Sequence, residues 1–149
     1  MEGCLICNRI NMIKAGTNKY FVAELETGYV VVGDHQYFEG YTLLLCKEHK
    51  HELHELSSDY KQKFLVEMSK VAEAVYRAFK PDKLNYELLG NGDSHMHWHI
   101  FPRRLTEPNP TYPVWWTPKE TMYSENMRPS DETLVQLKKT LFVELNKIV

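Results

Sequence analysis

Apolar and polar positions along this 149-residue chain change their period several times, and each change marks an element. Residues 5–15 suit a short helix ended by Gly16. From Tyr20 to Gly33 the runs YFVAEL and YVVVG are rich in β-branched and aromatic residues, and Glu26–Thr27–Gly28 between them reads as a hairpin turn. A third strand, Tyr41 to Cys46, follows the turn around Glu39 and Gly40. The period then becomes helical: Phe64, Met68, Val71, Val75, Ala78 and Phe79 recur at that spacing behind the N-cap oxygens of Ser57, Ser58 and Asp59, and Pro81 stops the run. Lys83 to Leu89 and His95 to Pro102 read as two more strands, joined by a hairpin turn at Gly90–Asn91–Gly92–Asp93. Residues 106–129, with Pro108, Pro110, Pro113, Pro118, Pro129 and the adjacent Trp115 and Trp116, form a long irregular segment. A final helix, about Ser130 to Ile148, places Leu134, Leu137, Leu141 and Leu145 on one stripe.

Strands with short connections, one long helix and a C-terminal helix describe an antiparallel α+β fold, because such connections cannot serve as parallel crossovers. No repeat, low-complexity tract or linker divides the chain, so residues 1–149 are expected to be a single domain. A composition of 43% hydrophobic and 26% charged residues with a net charge of −2 argues against disorder, a collagen-like repeat or a polybasic surface for a nucleic acid polymer. The opening MEGCLICNRI lacks a basic stretch followed by a long apolar one, so no signal peptide is expected, and no apolar run is long enough for a membrane span. Three cysteines without a secretory signal point to a reducing compartment, the cytoplasm. Cys4 and Cys7 then have the spacing of half a tetrahedral metal site, whereas Cys46, at the end of a strand-like run, is expected to be a small buried hydrophobe.

The unusual feature is histidine. Three of the seven sit in His95–Met96–His97–Trp98–His99, and at this histidine frequency roughly 0.015 occurrences of H-x-H-x-H are expected by chance. In a strand the three imidazoles share one face, while Met96, Trp98 and Ile100 point into the core. Same-face neighbours lie about 6.6 Å apart along a strand, so a phosphate or a metal can meet two of them together. Imidazole is a neutral nucleophile near pH 7 and exchanges protons there, and its attack on a phosphoryl group gives a phosphoramidate that splits one difficult hydrolysis into two steps.

HMHWHIF resembles the H-φ-H-φ-H-φ-φ signature of the histidine triad (HIT) family of nucleotide hydrolases and transferases. The resemblance runs through the opening CLIC, the strand ending in Gly33–Asp34, GYTLLLCKEH, the long helix and KLNYELLGNGDSHMHWHIFPR, which is especially similar to short-loop bacterial members of the dinucleoside polyphosphate hydrolase type. It implies a HIT-like antiparallel sheet of about five strands and a cytoplasmic homodimer. It further implies a nucleotidyl hydrolase or transferase that attacks the α-phosphate of a purine nucleoside phosphate, a dinucleoside polyphosphate above all. His97 would be the nucleophile carrying a covalent nucleotidyl group, and His99 would bind phosphate and assist the leaving group. Asp34 would hydrogen-bond the ribose hydroxyls, Asn91 would contact phosphate, and Leu5, Ile6 and Val32 would pack the base. In the metal-containing branch the remaining ligands map onto His49 and His95, completing with Cys4 and Cys7 a structural zinc set; no organic cofactor is implied.

The chain departs from the family pattern at Tyr41, where many members have a histidine that supports the triad, at Cys46, where many have proline, and at Ser94, where short-loop relatives commonly have proline. A Tyr41 hydroxyl could still donate a hydrogen bond. His51 and His54 have no family role and are expected to be solvated, and His35 is expected to be a turn residue. Trp115 and Trp116 would either stack on a second base or pack against a partner subunit, with the interface favoured. Two other functions remain open from the residues: a zinc-dependent hydrolase using the three histidines as ligands, and a nucleotide-binding sensor with little turnover, for which Tyr41 is the hint.

Overall fold

The computed structural model describes residues 2–149. The first helix, α1 (Leu5–Lys14), is capped by the Cys4 sulfur, which accepts from the Cys7 backbone N–H at 3.3 Å, and buries Ile6 and Ile10 one turn apart. It ends at Ala15, beyond which Gly16 takes φ +75°, a conformation that favours glycine. Three strands follow, β1 (Phe21–Glu24), β2 (Gly28–Val32) and β3 (Thr42–Cys46). The long helix α2 (Ser58–Phe79) starts at the Ser57 side-chain cap and stops at Lys80, which takes φ +50° just before Pro81. After β4 (Lys83–Glu87) and β5 (His97–Arg103), the proline-rich segment is less irregular than its sequence suggests: it holds the one-turn helix α3 (Lys119–Met122) and two 3-10 turns, at Val114–Trp116 and Glu125–Met127. The Ser130-capped helix α4 (Asp131–Ile148) closes the chain and buries the expected leucine stripe. Among the described residues no helix is long and apolar enough to cross a membrane.

The five strands form one antiparallel sheet in the order β1-β2-β3-β5-β4. Its register decides the site. Val30 pairs with Leu44 and Leu44 with Trp98, so these residues, with Val32, Cys46 and Ile100, share the face on which α2 and α4 pack. Val31 pairs with Leu43 and Leu43 with His99, while Leu45 pairs with His97, so this second row shares the opposite face. A smaller apolar cluster of Phe38, Tyr41, Phe101, Val114 and Met122 anchors the C-terminal segment beside that face.

The structure corrects one detail of the triad strand. The connection between β4 and β5 is a nine-residue loop rather than a tight hairpin, and β5 begins at His97, so His95 and Met96 precede it. The Met96 carbonyl still accepts from Cys46 N–H at 3.1 Å and its N–H donates to the Lys50 carbonyl at 2.9 Å, which pins this approach against the end of β3.

Gly33, just after β2, allows the closest approach in this region. A methyl group there would lie 2.2 Å from the Tyr41 ring, and Gly33 N–H donates to the Tyr41 carbonyl at 2.8 Å. Gly33→Ala is therefore expected to lower stability by about 1–3 kcal/mol through displacement of that ring, read as a shift in the urea unfolding midpoint. A midpoint equal to that of the natural protein would show that the ring moves freely.

Candidate functional site

A cavity of about 370 Å³ opens on the free face of the sheet. Its wall includes Leu5 and Ile6 from α1, Val31, Leu43 and Leu45 from the sheet, and His97 and His99 from β5. Asp34 lies at its edge. Of the three residues expected to pack the base, Leu5 and Ile6 line the cavity, whereas Val32 is fully buried on the helix-covered face and its neighbour Val31 lines the cavity instead. Asn91 is exposed in the loop and lines no described cavity; Asp93 takes a place in the wall.

The two cavity histidines are 4.8 Å apart between ring centroids and nearly buried. His97 Nδ1 lies 2.7 Å from the His95 carbonyl, which can only accept, so Nδ1 carries the proton and Nε2 keeps its lone pair. His99 Nδ1 lies 2.6 Å from the Tyr41 hydroxyl. That hydroxyl makes no other hydrogen bond among the described residues; either the phenol donates to Nδ1 and the His99 proton sits on Nε2, or Nδ1–H donates to the phenol oxygen. Tyr41 stacks on Phe101 with centroids 4.0 Å apart, and burial holds its own pKa well above the usual tyrosine value, keeping the phenol protonated. Burial, with the closeness of the His97 ring as the lesser cause, pushes His99 down to about 3. Tyr41 thus stands within hydrogen-bond distance of the triad.

His95 goes elsewhere. Instead of joining the cavity wall with the other two, its ring turns toward the N-terminal cysteines, where Cys4, Cys7, His49 and His95 bring one ligand atom each within 4.8 Å of one another. The Sγ···Nδ1 separations are 3.5 Å for Cys4–His95, 3.2 Å for Cys7–His49 and 3.4 Å for Cys7–His95, and the two imidazole Nδ1 atoms are 3.1 Å apart. Tetrahedral zinc with its usual bond lengths requires edges of about 3.5 Å for S···N and about 3.3 Å for N···N. The residues therefore fit that ion. The tautomer fits as well, since His95 Nε2–H donates to the Cys46 carbonyl at 2.8 Å and leaves Nδ1 as the free donor atom. Among the described residues the three triad histidines form no common ligand set.

Several wall residues were not anticipated. Arg9 lies one helical turn beyond Leu5 and Ile6 on the same face of α1 and pairs with Asp34 at 2.9 Å; the i, i+3, i+4 spacing was the available signal. His35, expected to be a turn residue, lines the cavity and meets Tyr123 edge-on at 5.3 Å. The tryptophan pair divides: Trp115 lines the cavity, set edge-on to His99 at 5.6 Å with its indole N–H donating to Glu87, whereas Trp116 is 67% exposed. His51 and His54 are exposed, as expected.

With this geometry in place, comparison defines the class. Residues 16–106 match the HIT domain model, and the chain belongs to the HIT family. Adenosine 5′-monophosphoramidase from Saccharomyces cerevisiae is 25% identical over 140 residues, covering 90% of this chain and 82% of that protein. Among solved structures, a histidine triad protein from Bradyrhizobium japonicum matches with a TM-score of 0.74 and 22% identity over 84% of this chain and 89% of its own. A zinc-bound histidine triad family protein from Mycobacterium smegmatis matches with a TM-score of 0.67 and 17% identity over 97% of this chain and 94% of its own. These structural likenesses establish the HIT-like fold.

Burial of a neutral His99 has a consequence for stability. Its folded pKa of about 3 lies below the ordinary 6.5, so the unfolded chain takes up a proton first as pH falls. The contribution of this group is complete above about pH 6.5 and is lost progressively toward pH 3. His99→Gln is expected to flatten the decline of the urea midpoint between pH 7.5 and pH 5. An unchanged slope would show that His99 titrates normally in the folded protein.

Proposed function

We propose that this protein is a nucleotide hydrolase in which His97 attacks the α-phosphorus of a purine nucleoside phosphate. The observation that carries the reading is the His97 ring itself: its Nδ1–H is held by the His95 carbonyl, and the Nε2 lone pair is available at the wall of a cavity of nucleotide-compatible size. The similarity to a monophosphoramidase supports the same chemistry. Nε2 forms a bond to phosphorus as the bond to the leaving group breaks, and the leaving group takes the bonding pair. Water then attacks phosphorus, the P–N bond breaks, and nucleoside monophosphate and a proton are released while His97 returns to its neutral form.

His99 serves as a neutral donor in this scheme. Its Nε2–H is directed by the Tyr41 bond at Nδ1 and supplies a hydrogen bond to an oxygen of the reacting phosphate or to the leaving group. Asp34 receives the ribose hydroxyls; its contact with Arg9 engages Oδ2, leaving Oδ1 to accept. Leu5, Ile6 and Val31 pack the base. Cys4, Cys7, His49 and His95 hold zinc, which ties the N-terminus to the start of the reactive strand. The similarity to a zinc-bound relative supports this placement. The substrate class extends to dinucleoside polyphosphates, and the chain acts as a homodimeric single domain.

Mass spectrometry after incubation with labelled nucleotides tests the mechanism: a nucleotidyl adduct is expected on His97. His97→Ala is expected to fold normally and to lose a factor of about 10³ or more in kcat/KM; turnover retained in that variant rules the mechanism out. Tight nucleotide binding with no adduct in the natural protein would establish the sensor reading in its place.

Chelation tests the metal. Treating the protein with a strong zinc chelator is expected to lower its thermal midpoint, an effect reproduced by Cys7→Ser, while adduct formation on His97 persists below the new midpoint. Immediate loss of adduct formation from protein that is still folded would favour the catalytic-zinc alternative.

A further inference from the structure

His97 stands in the wall of two cavities. The second, of about 470 Å³, lies between the loop after β3, the start of α2 and the end of β4. Leu53, Leu88, Leu89 and Met96 supply its apolar surface. Its polar surface is formed by His51, His54 and Lys61, by Ser94 in the loop before β5, and by the single carboxylate Glu52. None of the base- or ribose-contacting residues assigned above belongs to it.

Lys61 is the decisive group. It is half-buried and makes no ion pair among the described residues, although the nearby lysines Lys47 and Lys63 each do, with Glu24 and Glu26. The one carboxylate that lines the cavity, Glu52, makes no ion pair with it among the described residues. A partly desolvated ammonium without a carboxylate partner favours an anion. The Ser94 hydroxyl and the two imidazoles add hydrogen-bonding groups suited to phosphate oxygens.

We propose that this second cavity is an anion subsite that receives the phosphate-bearing leaving group of the substrate, with Lys61 as its principal cation. The inference rests on the His97 reading above: with the α-phosphorus at His97 and the nucleoside in the first cavity, the rest of the substrate enters the second. Its lysine and histidines select an oligophosphate remainder over an amine. The substrate class is thereby narrowed to nucleoside and dinucleoside polyphosphates, and the position of Ser94 explains how a residue that departs from the family pattern contributes a donor.

Inorganic tripolyphosphate is the direct probe, titrated calorimetrically into the full-length protein. Lys61→Ala is expected to weaken its binding about tenfold or more, and Lys61→Arg to restore most of it. In turnover, the ratio of kcat/KM for diadenosine tetraphosphate to that for adenosine phosphoramidate is expected to fall by about the same factor in Lys61→Ala and in the double variant His51→Ala/His54→Ala. The urea midpoint of each variant checks folding, and the charge-retaining arginine variant keeps the test valid if the alanine variant folds poorly. Tripolyphosphate binding and a substrate ratio that are both unchanged by Lys61→Ala overturn the subsite, as does an equal loss on both substrates. Lysine-dependent tripolyphosphate binding in a protein that forms no His97 adduct supports the subsite and overturns the hydrolase reading instead.

Discussion

The pairing of β3 with β5 is the constraint on which the rest of the molecule depends. Because Leu45 faces His97 and Leu43 faces His99, two imidazoles and two leucines are presented together on the free face of the sheet, while Leu44, Trp98 and Ile100 anchor the same strands beneath α2. A slip of one residue would exchange the two rows, burying histidines against a helix and exposing a tryptophan. The apolar face that stabilises the fold and the face that presents the two histidines are therefore one arrangement. Met96 extends it by bonding both Cys46 and Lys50, so the approach to the strand is also held in register.

Within that frame each triad ring has a different partner, and the partner determines what the ring can do. His97 gives its Nδ1 proton to a backbone carbonyl and keeps a nucleophilic lone pair. His99 is tied through Nδ1 to the Tyr41 hydroxyl, which leaves Nε2 as its remaining polar atom. His95 gives its Nε2 proton to Cys46 and directs Nδ1 at the thiols. Burial holds both partners of this Tyr41–His99 bond neutral, raising the Tyr41 phenol well above its usual value and lowering His99. Gly33 makes room for that ring, which links a single missing methyl group in the chain to the protonation pattern of the site.

Both ends of the reactive strand are held by segments remote in sequence. The N-terminal cysteines reach His49 and His95 before β5 begins, and Trp115, Met122 and Tyr123 from the C-terminal segment close the other side of the cavity. The family model matches residues 16–106, while part of the cavity wall lies outside that span, with Arg9 and Arg128 among its residues.

What the sequence determined by itself was whatever depends on local period and on residue chemistry. The 3.6-residue stripe of α2, the Ser57 and Ser130 caps, the β-branched runs and the two-residue alternation of His97 and His99 are short-range patterns, and the structure follows them. The cysteine pair likewise had metal-ligand spacing, and the structure sets it beside His49 and His95. Tertiary structure decided what depends on which face meets which neighbour. Val31 rather than Val32 reaches the cavity because the sheet's orientation toward α2 sets the parity, and the β-branched run YVVVG carries no mark of it. His95 parts from its two neighbours because β5 starts two residues late, and Trp115 parts from Trp116 because only one indole meets Glu87 and His99. Arg9 and Lys61 acquire meaning only when distant carboxylates pair with the first and leave the second alone, since the balance of charge around a side chain is a property of space and not of order along the chain.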